Sequence, residues 1–189
     1  MQSFNHLITT RPHEVRQVLI SDLHLSPEEP ALVQAFLALL DDCLALPQLK
    51  RLFILGDWFE VWIGDDAYLT LSENARQSHW LTPLIVKLKK LRIAGCEILV
   101  MHGNRDFLMG SGLAQATGAT LIGDPTVLSF SNQRWVLTHG DALCLDDTDY
   151  LAFRDTVRSD AWQSQFLAKP LLERQTLARQ MRDASEARK

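Results

Sequence analysis

The sequence predicts a layered α/β domain with antiparallel strands near its end, and three observations carry that expectation. Short apolar runs of strand length fall at residues 18–20, 52–55, 98–101 and 135–138. Stretches of helical periodicity lie between the earlier runs, so strand and helix alternate. From about Asp149 the helical pattern continues without a strand.

The elements follow in order. The first apolar run passes into Ser21-Asp22-Leu23-His24. Glu28-Glu29-Pro30 then opens a helix, because proline suits the first turn and acidic groups favour the positive end of the helix dipole. Leu32, Phe36, Leu39, Leu40 and Cys43 recur at helical spacing, and Pro47 marks the end. The second run, 52–55, passes into Gly56-Asp57 and a loop to about Leu71 that is rich in aspartate and aromatic residues. A helix is expected over 73–93, with Leu81, Leu84, Ile85, Leu88 and Leu91 on one face and Gly95 as its stop. Pro83 requires a kink there or a start near Thr82. The third run, 98–101, leads into His102-Gly103-Asn104-Arg105-Asp106. A short helix at 113–117 ends at Gly118. Strand-like pieces at 119–122 and 127–130 precede a turn at Ser131-Asn132-Gln133 and the run 135–138, which leads into His139-Gly140-Asp141. Helices are expected over 150–158, 162–167 and 171–188, with Pro170 as a break.

A chain of 189 residues suffices for one domain with a sizeable core. A net charge of -4 lacks the strongly basic footprint of a nucleic-acid binder. Cys43, Cys96 and Cys144 are scattered and form no C-x-x-C pair, which argues against a disulfide framework and fits a reducing cytosol. Residues 1–14 are mostly polar, so they read as a flexible leader rather than a secretory signal. No apolar run reaches the roughly 18 residues of a membrane span.

The polar residues at the strand ends carry the chemistry. Asp22, His24, Asp57, Asn104 and His139 supply carboxylate, imidazole and amide groups, a donor set suited to Mn²⁺, Mg²⁺ or Zn²⁺. No cysteine stands among them, which argues against a structural zinc site. On an extended stretch, Asp22 and His24 point the same way and reach one ion. Asp57 follows a glycine, and its two oxygens can reach separate ions, with Asn104 and His139 on the second. Such a pair, roughly 3.5–4 Å apart, clamps a phosphoryl group. Open α/β sheets place sites of this kind beyond strand C-termini. Singly, each residue reads as an N-cap, a turn residue or a hydrogen-bonded histidine; jointly they read as a metal centre. Asp106 and Asp141 are expected to orient ligands. His102 is expected to be structural, and Glu60 to steady the loop after Asp57.

The blocks Asp22-Leu23-His24, Gly56-Asp57-Trp58-Phe59-Glu60, Gly103-Asn104-Arg105-Asp106 and His139-Gly140-Asp141 resemble the calcineurin-like metallophosphoesterases. G-N-R-D in the third block, the continuation Val61-Trp62-Ile63-Gly64-Asp65-Asp66, and Phe107-Leu108-Met109-Gly110 narrow the resemblance to the UDP-2,3-diacylglucosamine pyrophosphatase family of lipid A synthesis. The resemblance implies an α/β/β/α sandwich with a helical cap. It further implies hydrolysis of UDP-2,3-diacylglucosamine to 2,3-diacylglucosamine 1-phosphate (lipid X) and UMP, with two Mn²⁺ ions and water attacking the α-phosphorus. By motif position, Asp22, His24 and Asp57 hold one ion, and Asp57, Asn104 and His139 the other. Asn104, Arg105, Asp147 and Ser185 contact substrate, whereas Lys189 aligns too loosely for such a role. Arginine suits this task because its fork matches phosphate oxygens.

The implied organisation is a leader at 1–14, a core at 15–148 and a cap at 149–189. In the cap, Trp162, Phe166, Leu167, Leu171 and Leu172 either line a groove for acyl chains or pack between helices. The basic stretch with Arg174, Arg179, Arg182, Arg188 and Lys189 reads as a solvated face or as a face for phosphate or an anionic membrane surface. The expected location is cytoplasmic and peripheral, on the cytoplasmic face of the inner membrane. No obligate protein partner and no nucleic acid are implied. The family's final G-H-x-H motif has no counterpart in this sequence. The expectation is therefore a chain that stops before the last core strands, binds metal more weakly, turns over poorly and exposes an apolar edge. Two alternatives stand beside the main reading: an impaired relative that binds a lipid X-like ligand, and a metallophosphoesterase with another phosphoester substrate.

Overall fold

The computed structural model describes residues 9–130 and 132–186. Residues 1–8 of the expected leader, Ser131 of the expected turn, and Arg188 and Lys189 lie outside the described residues. Four parallel strands form the main sheet in the order β1-β2-β3-β4: β1 Gln17–Ile20, β2 Arg51–Leu55, β3 Glu97–Met101 and β4 Thr120–Ile122. Parallel neighbours require crossovers. Helices α1 (Pro30–Ala45), α4 (Leu81–Ile93) and α5 (Ser111–Thr117) occupy them, with the short helices α2 (Asp66–Leu69) and α3 (Glu73–Gln77) before α4. Because all four strands run one way, the loops after β1, β2 and β3 open on one edge.

Strand alternation sorts the core into two faces. Leu52, Ile54, Ile98 and Val100 pack with helix residues such as Phe36, Leu40, Leu84 and Leu88. Phe53 and Met101 face the other way and meet Leu137, with Leu55, Leu99, Ile122 and Leu128 packed around them. Leu128 and Leu137 belong to an antiparallel pair, β5 (Thr126–Phe130) and β6 (Gln133–Leu137). Both faces of β2 and β3 are thus apolar, which explains their continuous hydrophobic runs. Coverage of the second face is uneven. Leu19 and Val127 remain exposed, as do Trp135 and Val136. A cleft of about 400 Å³ lies between hairpin and sheet, with Phe53, Leu99, Ile122 and Val127 in its wall.

Local details depart from the periodicity. The buried stripe of α1 is Val33, Phe36, Leu37, Leu40 and Cys43, while Leu32 is 43% exposed. The buried face is therefore turned from the expected one, with Val33 and Leu37 inside and Leu32 outside. The helix expected over 73–93 is split between α3 and α4. Pro83 falls in the first turn of α4, where its missing N–H breaks no helical bond. The aspartate-rich loop contains α2, and Asp65 accepts from Gly110 N at 2.9 Å and Leu113 N at 2.8 Å at the start of α5.

Three helices close the described chain: α6 (Thr148–Val157), α7 (Asp160–Leu167) and α8 (Leu171–Glu186), the last including Ser185. No described helix is long and apolar enough to cross a membrane. Phe166 is buried in the main core, and Trp162 stacks on it with ring centroids 4.8 Å apart. Phe166 and the half-buried Trp162 pack against the core, whereas Leu167 and Leu172 are exposed. The basic stretch also divides. Arg179 is exposed, but Arg174 is only 2% exposed. Arg174 donates to Ile63 O at 2.6 Å and to both carboxylate oxygens of Asp66. Gly64 permits this approach: its φ is 126°, and an added Cβ would overlap Arg174 Nη1.

Hydrogen bonding from Arg174 holds the Asp66 carboxyl below its usual range. A carboxyl lowered in the folded state adds stability above its unfolded value of roughly 3.9, and that stability is lost as pH falls through the folded value. Arg174→Ala is therefore expected to destabilise the chain by about 1–3 kcal/mol at neutral pH. The difference from the unsubstituted chain should shrink below about pH 4. Thermal unfolding followed by tryptophan fluorescence at pH 7 and pH 3 checks this; an equal deficit at both values would contradict it.

Candidate metal centre

Beyond their last strand residues, β1 and β2 continue side by side. Asp22 N donates to Gly56 O at 3.1 Å, His24 N to Asp57 O at 2.9 Å and Leu25 N to Trp58 O at 2.9 Å. The backbone is not extended there. Asp22, His24 and Asp57 have φ of 55°, 48° and 50°, the left-handed region. A side chain other than glycine costs about 1–2 kcal/mol there. The expectation that an extended stretch aligns Asp22 with His24 is therefore corrected: the reversed turns bring them together. One ligand atom from each of Asp22, His24 and Asp57 lies within 4.8 Å of the others. Strain concentrated at one such point marks a functional constraint.

His139 and Asn104 reach the other side of Asp57. His139 Nδ1 is 3.0 Å from Leu55 O, which only accepts, so Nδ1 carries the proton and Nε2 of the neutral ring presents its lone pair. Nε2 is 3.1 Å from Asn104 Oδ1 and 3.7 Å from Asp57 Oδ1. In this orientation three acceptors converge, an arrangement a cation satisfies. Rotating the amide instead lets its nitrogen donate to His139 Nε2 at 3.1 Å and to Asp57 Oδ2 at 2.9 Å. In both orientations Asp57, Asn104 and His139 meet at one point, and with the amide oxygen turned inward their donor types fit a hard or borderline cation.

Burial raises the Asp57 carboxyl above its usual range, against the hydrogen bond from Arg105 N (2.9 Å) and the nearby imidazoles of His139 and His24. Asp106 is fully buried and accepts from Trp58 N at 2.7 Å, Phe59 N at 3.3 Å and Gly103 N at 2.8 Å. Burial pushes its carboxyl up to about 6 despite those donors. Asp106 thus joins the Asp57 loop to the Asn104 loop through backbone, not through a ligand side chain as expected.

Glu60 does more than steady its loop. One oxygen lies 3.0 Å from His24 Nδ1, off the line of a hydrogen bond. The other lies 3.5 Å from Arg105 Nη1 and 2.6 Å from Arg182 Nη1. His102 Nε2 is 2.7 Å from Met109 O, a structural role, and burial holds this imidazole below its usual range. Asp141 was expected to orient a ligand, but its side chain turns to α6, accepting from Tyr150 Oη at 2.7 Å and Arg154 Nε at 2.9 Å. Although burial raises it, the hydrogen bonds from Arg154 and Tyr150 leave its carboxyl below the usual range. Asp147 is exposed and caps α6 by accepting from Tyr150 N at 3.0 Å, outside the metal-ligand cluster.

Sequence reasoning passed over Asp124, whose Oδ1 accepts from Thr138 Oγ1 at 2.7 Å and from His139 N at 3.3 Å. It also passed over Arg154 on α6. The available signal was the spacing of Arg154 and Arg158, four apart on one helix face.

No protein-family model matches the chain. Curated relatives do. The chain is 45% identical over 170 residues to the UDP-2,3-diacylglucosamine hydrolase of Cellvibrio japonicus, covering 90% of this chain and 66% of that protein. It is 45% identical over 171 residues to the protein of the same name from Hahella chejuensis, with 90% and 66% covered. For the Xanthomonas campestris protein of that name the identity is 43% over 171 residues, with 90% and 65% covered. The chain therefore spans just under two thirds of the length of these relatives.

The tightest point of the site is Gly103, where an added Cβ would overlap both Asp57 Oδ1 and Asp57 N. Because a backbone atom is involved, no rotamer relieves the clash. Gly103→Ala is expected to weaken divalent-cation binding by roughly 10–100-fold, the range seen when the support of a ligand is disturbed. Calorimetric titration checks this, and an unchanged affinity would count against the assigned geometry.

Proposed function

We propose that the chain belongs to the family of the UDP-2,3-diacylglucosamine hydrolases it matches at 43% to 45% identity and that it hydrolyses the diphosphate bond of UDP-2,3-diacylglucosamine, giving lipid X and UMP. The observation that carries this reading is the convergence of Asp22 and His24, from the loop after β1, with Asp57, from the loop after β2, each with a left-handed backbone. In this reading Asp22, His24 and Asp57 hold one Mn²⁺, and Asp57, Asn104 and His139 hold a second. When bound, the two cations lower the pKa of water and offset charge on phosphoryl oxygens.

The chain's own groups do the rest. Asp57 O accepts from His24 N and Asp57 Oδ1 from Arg105 N, so its carboxylate is held between both ligand sets. Arg105 offers a planar fork to the phosphate oxygens, and Glu60 holds that fork beside the ligands before substrate arrives. Water attacks the α-phosphorus, the P–O bond to the bridging oxygen breaks, and the electron pair leaves on the lipid-sugar phosphate. That leaving group is a phosphate oxygen of low basicity and needs little proton assistance.

Residues 149–189 act as the cap over a core at 15–148, with 1–14 as leader. Asp147 and Ser185 contact the sugar together with Asn104 and Arg105. Leu167 and Leu172 are exposed, which suits contact with acyl chains, while Phe166 and Trp162 support them from within. The protein works peripherally on the cytoplasmic face of the inner membrane, where exposed Arg179 favours anionic headgroups.

The test is UMP release from UDP-2,3-diacylglucosamine with saturating Mn²⁺, run beside a generic aryl phosphate. The expected result is Mn²⁺-dependent release, strong preference over the aryl ester, and a fall of roughly 1000-fold in kcat/KM for Asp57→Asn, about 4 kcal/mol of transition-state stabilisation. Efficient aryl ester cleavage without UMP release would overturn the substrate. Tight binding of lipid X with no hydrolysis of either compound would overturn the activity.

A further inference from the structure

Helix α6 touches both loops that carry Asn104 and His139. Arg158, at its C-terminal end, uses a single nitrogen for both: Nη2 donates to Gly103 O at 3.0 Å and to Asp141 Oδ2 at 3.2 Å. Gly103 immediately precedes Asn104, and Asp141 stands two residues after His139. One turn earlier, Arg154 Nε donates to the same Asp141 oxygen at 2.9 Å, and Arg154 Nη2 lies 3.7 Å from Asp124 Oδ2. Asp124 in turn accepts from His139 N.

These are not surface pairs. The side chains of Arg154 and Arg158 are 17% and 19% exposed, and those of Asp124 and Asp141 6%. Pairing in that setting is far less screened than at a surface, so geometry matters. The two carboxylates also offset the two guanidinium charges, so the cluster adds no net repulsion against a nearby cation. A guanidinium nitrogen carries two N–H groups in a fixed plane and serves a carbonyl and a carboxylate at once. A lysine ammonium keeps the charge but not the fixed angle.

We propose that Arg158 is a positioning residue for the second cation. By linking Gly103 O to Asp141 it sets the separation between Asn104 and His139, and it couples the docking of α6 to occupation of that cation site. The inference rests on the proposed role of Asn104 and His139 as ligands. Coupling of this kind is reciprocal: filling the second site steadies α6, and displacing α6 empties the site.

The experiment is a calorimetric Mn²⁺ titration of the full chain and of Arg158→Ala and Arg158→Lys, with electron paramagnetic resonance reporting the magnetically coupled ion pair. Arg158→Ala is expected to leave the first ion within about twofold and weaken the second by roughly 10–100-fold. The coupled signal should fade, and added guanidinium should restore it. Arg158→Lys, which keeps the charge should Arg158→Ala fail to fold, should still weaken the second ion selectively. Equal weakening of both ions, or no change in either, would overturn the proposal. Absence of two-ion binding in the unsubstituted chain would instead remove the ligand assignment on which it stands.

Discussion

A carboxylate hidden from water holds this site together. Asp106 gathers backbone N–H groups from the loop after β2 and the loop after β3. Each hydrogen bond to a charged acceptor contributes roughly 1.5–3 kcal/mol, and leaving those buried donors unmet would cost a similar amount. With Asp106 in place the two loops have one relative position. Asp57 and Asn104 inherit that position because each is adjacent in sequence to a residue Asp106 touches.

The same closeness explains the glycine at Gly103 and the backbone of the candidate ligands. Gly103 lies against Asp57 with no room for a Cβ. Asp22, His24 and Asp57 take left-handed conformations that their side chains disfavour. The cross-strand bonds from Asp22, His24 and Leu25 to the neighbouring loop hold those conformations in place. A chain free to relax would not keep three such residues side by side, so the strain is a consequence of the parallel pairing of β1 with β2.

The C-terminal helices are bound to the core by charge as well as by apolar packing. Arg174 reaches Asp66 and the Ile63 carbonyl, Asp141 receives Tyr150 and Arg154, and Arg182 meets Glu60 beside His24. These contacts fall on the same loops that present the candidate ligands. The closing helices are therefore tied to those loops by hydrogen bonds and ion pairs.

Much was legible in the sequence itself: the strands, the order of the candidate ligands and the run of closing helices. Apolar periodicity and turn residues are local, and each candidate ligand lies shortly after the C-terminal end of a strand, with Asp22 and His24 sharing β1. Tertiary structure alone decided the left-handed turns at Asp22 and His24, the backbone role of Asp106 and the turning of Asp141 towards α6. It also decided the burial of Arg174 and the rotation that exposes Leu32. The partner often lies far along the chain, as Arg174 does from Asp66 and Trp58 from Asp106. A polar side chain carries no local mark of which distant group it will meet, because that is set by how strands and helices stack once the core has closed.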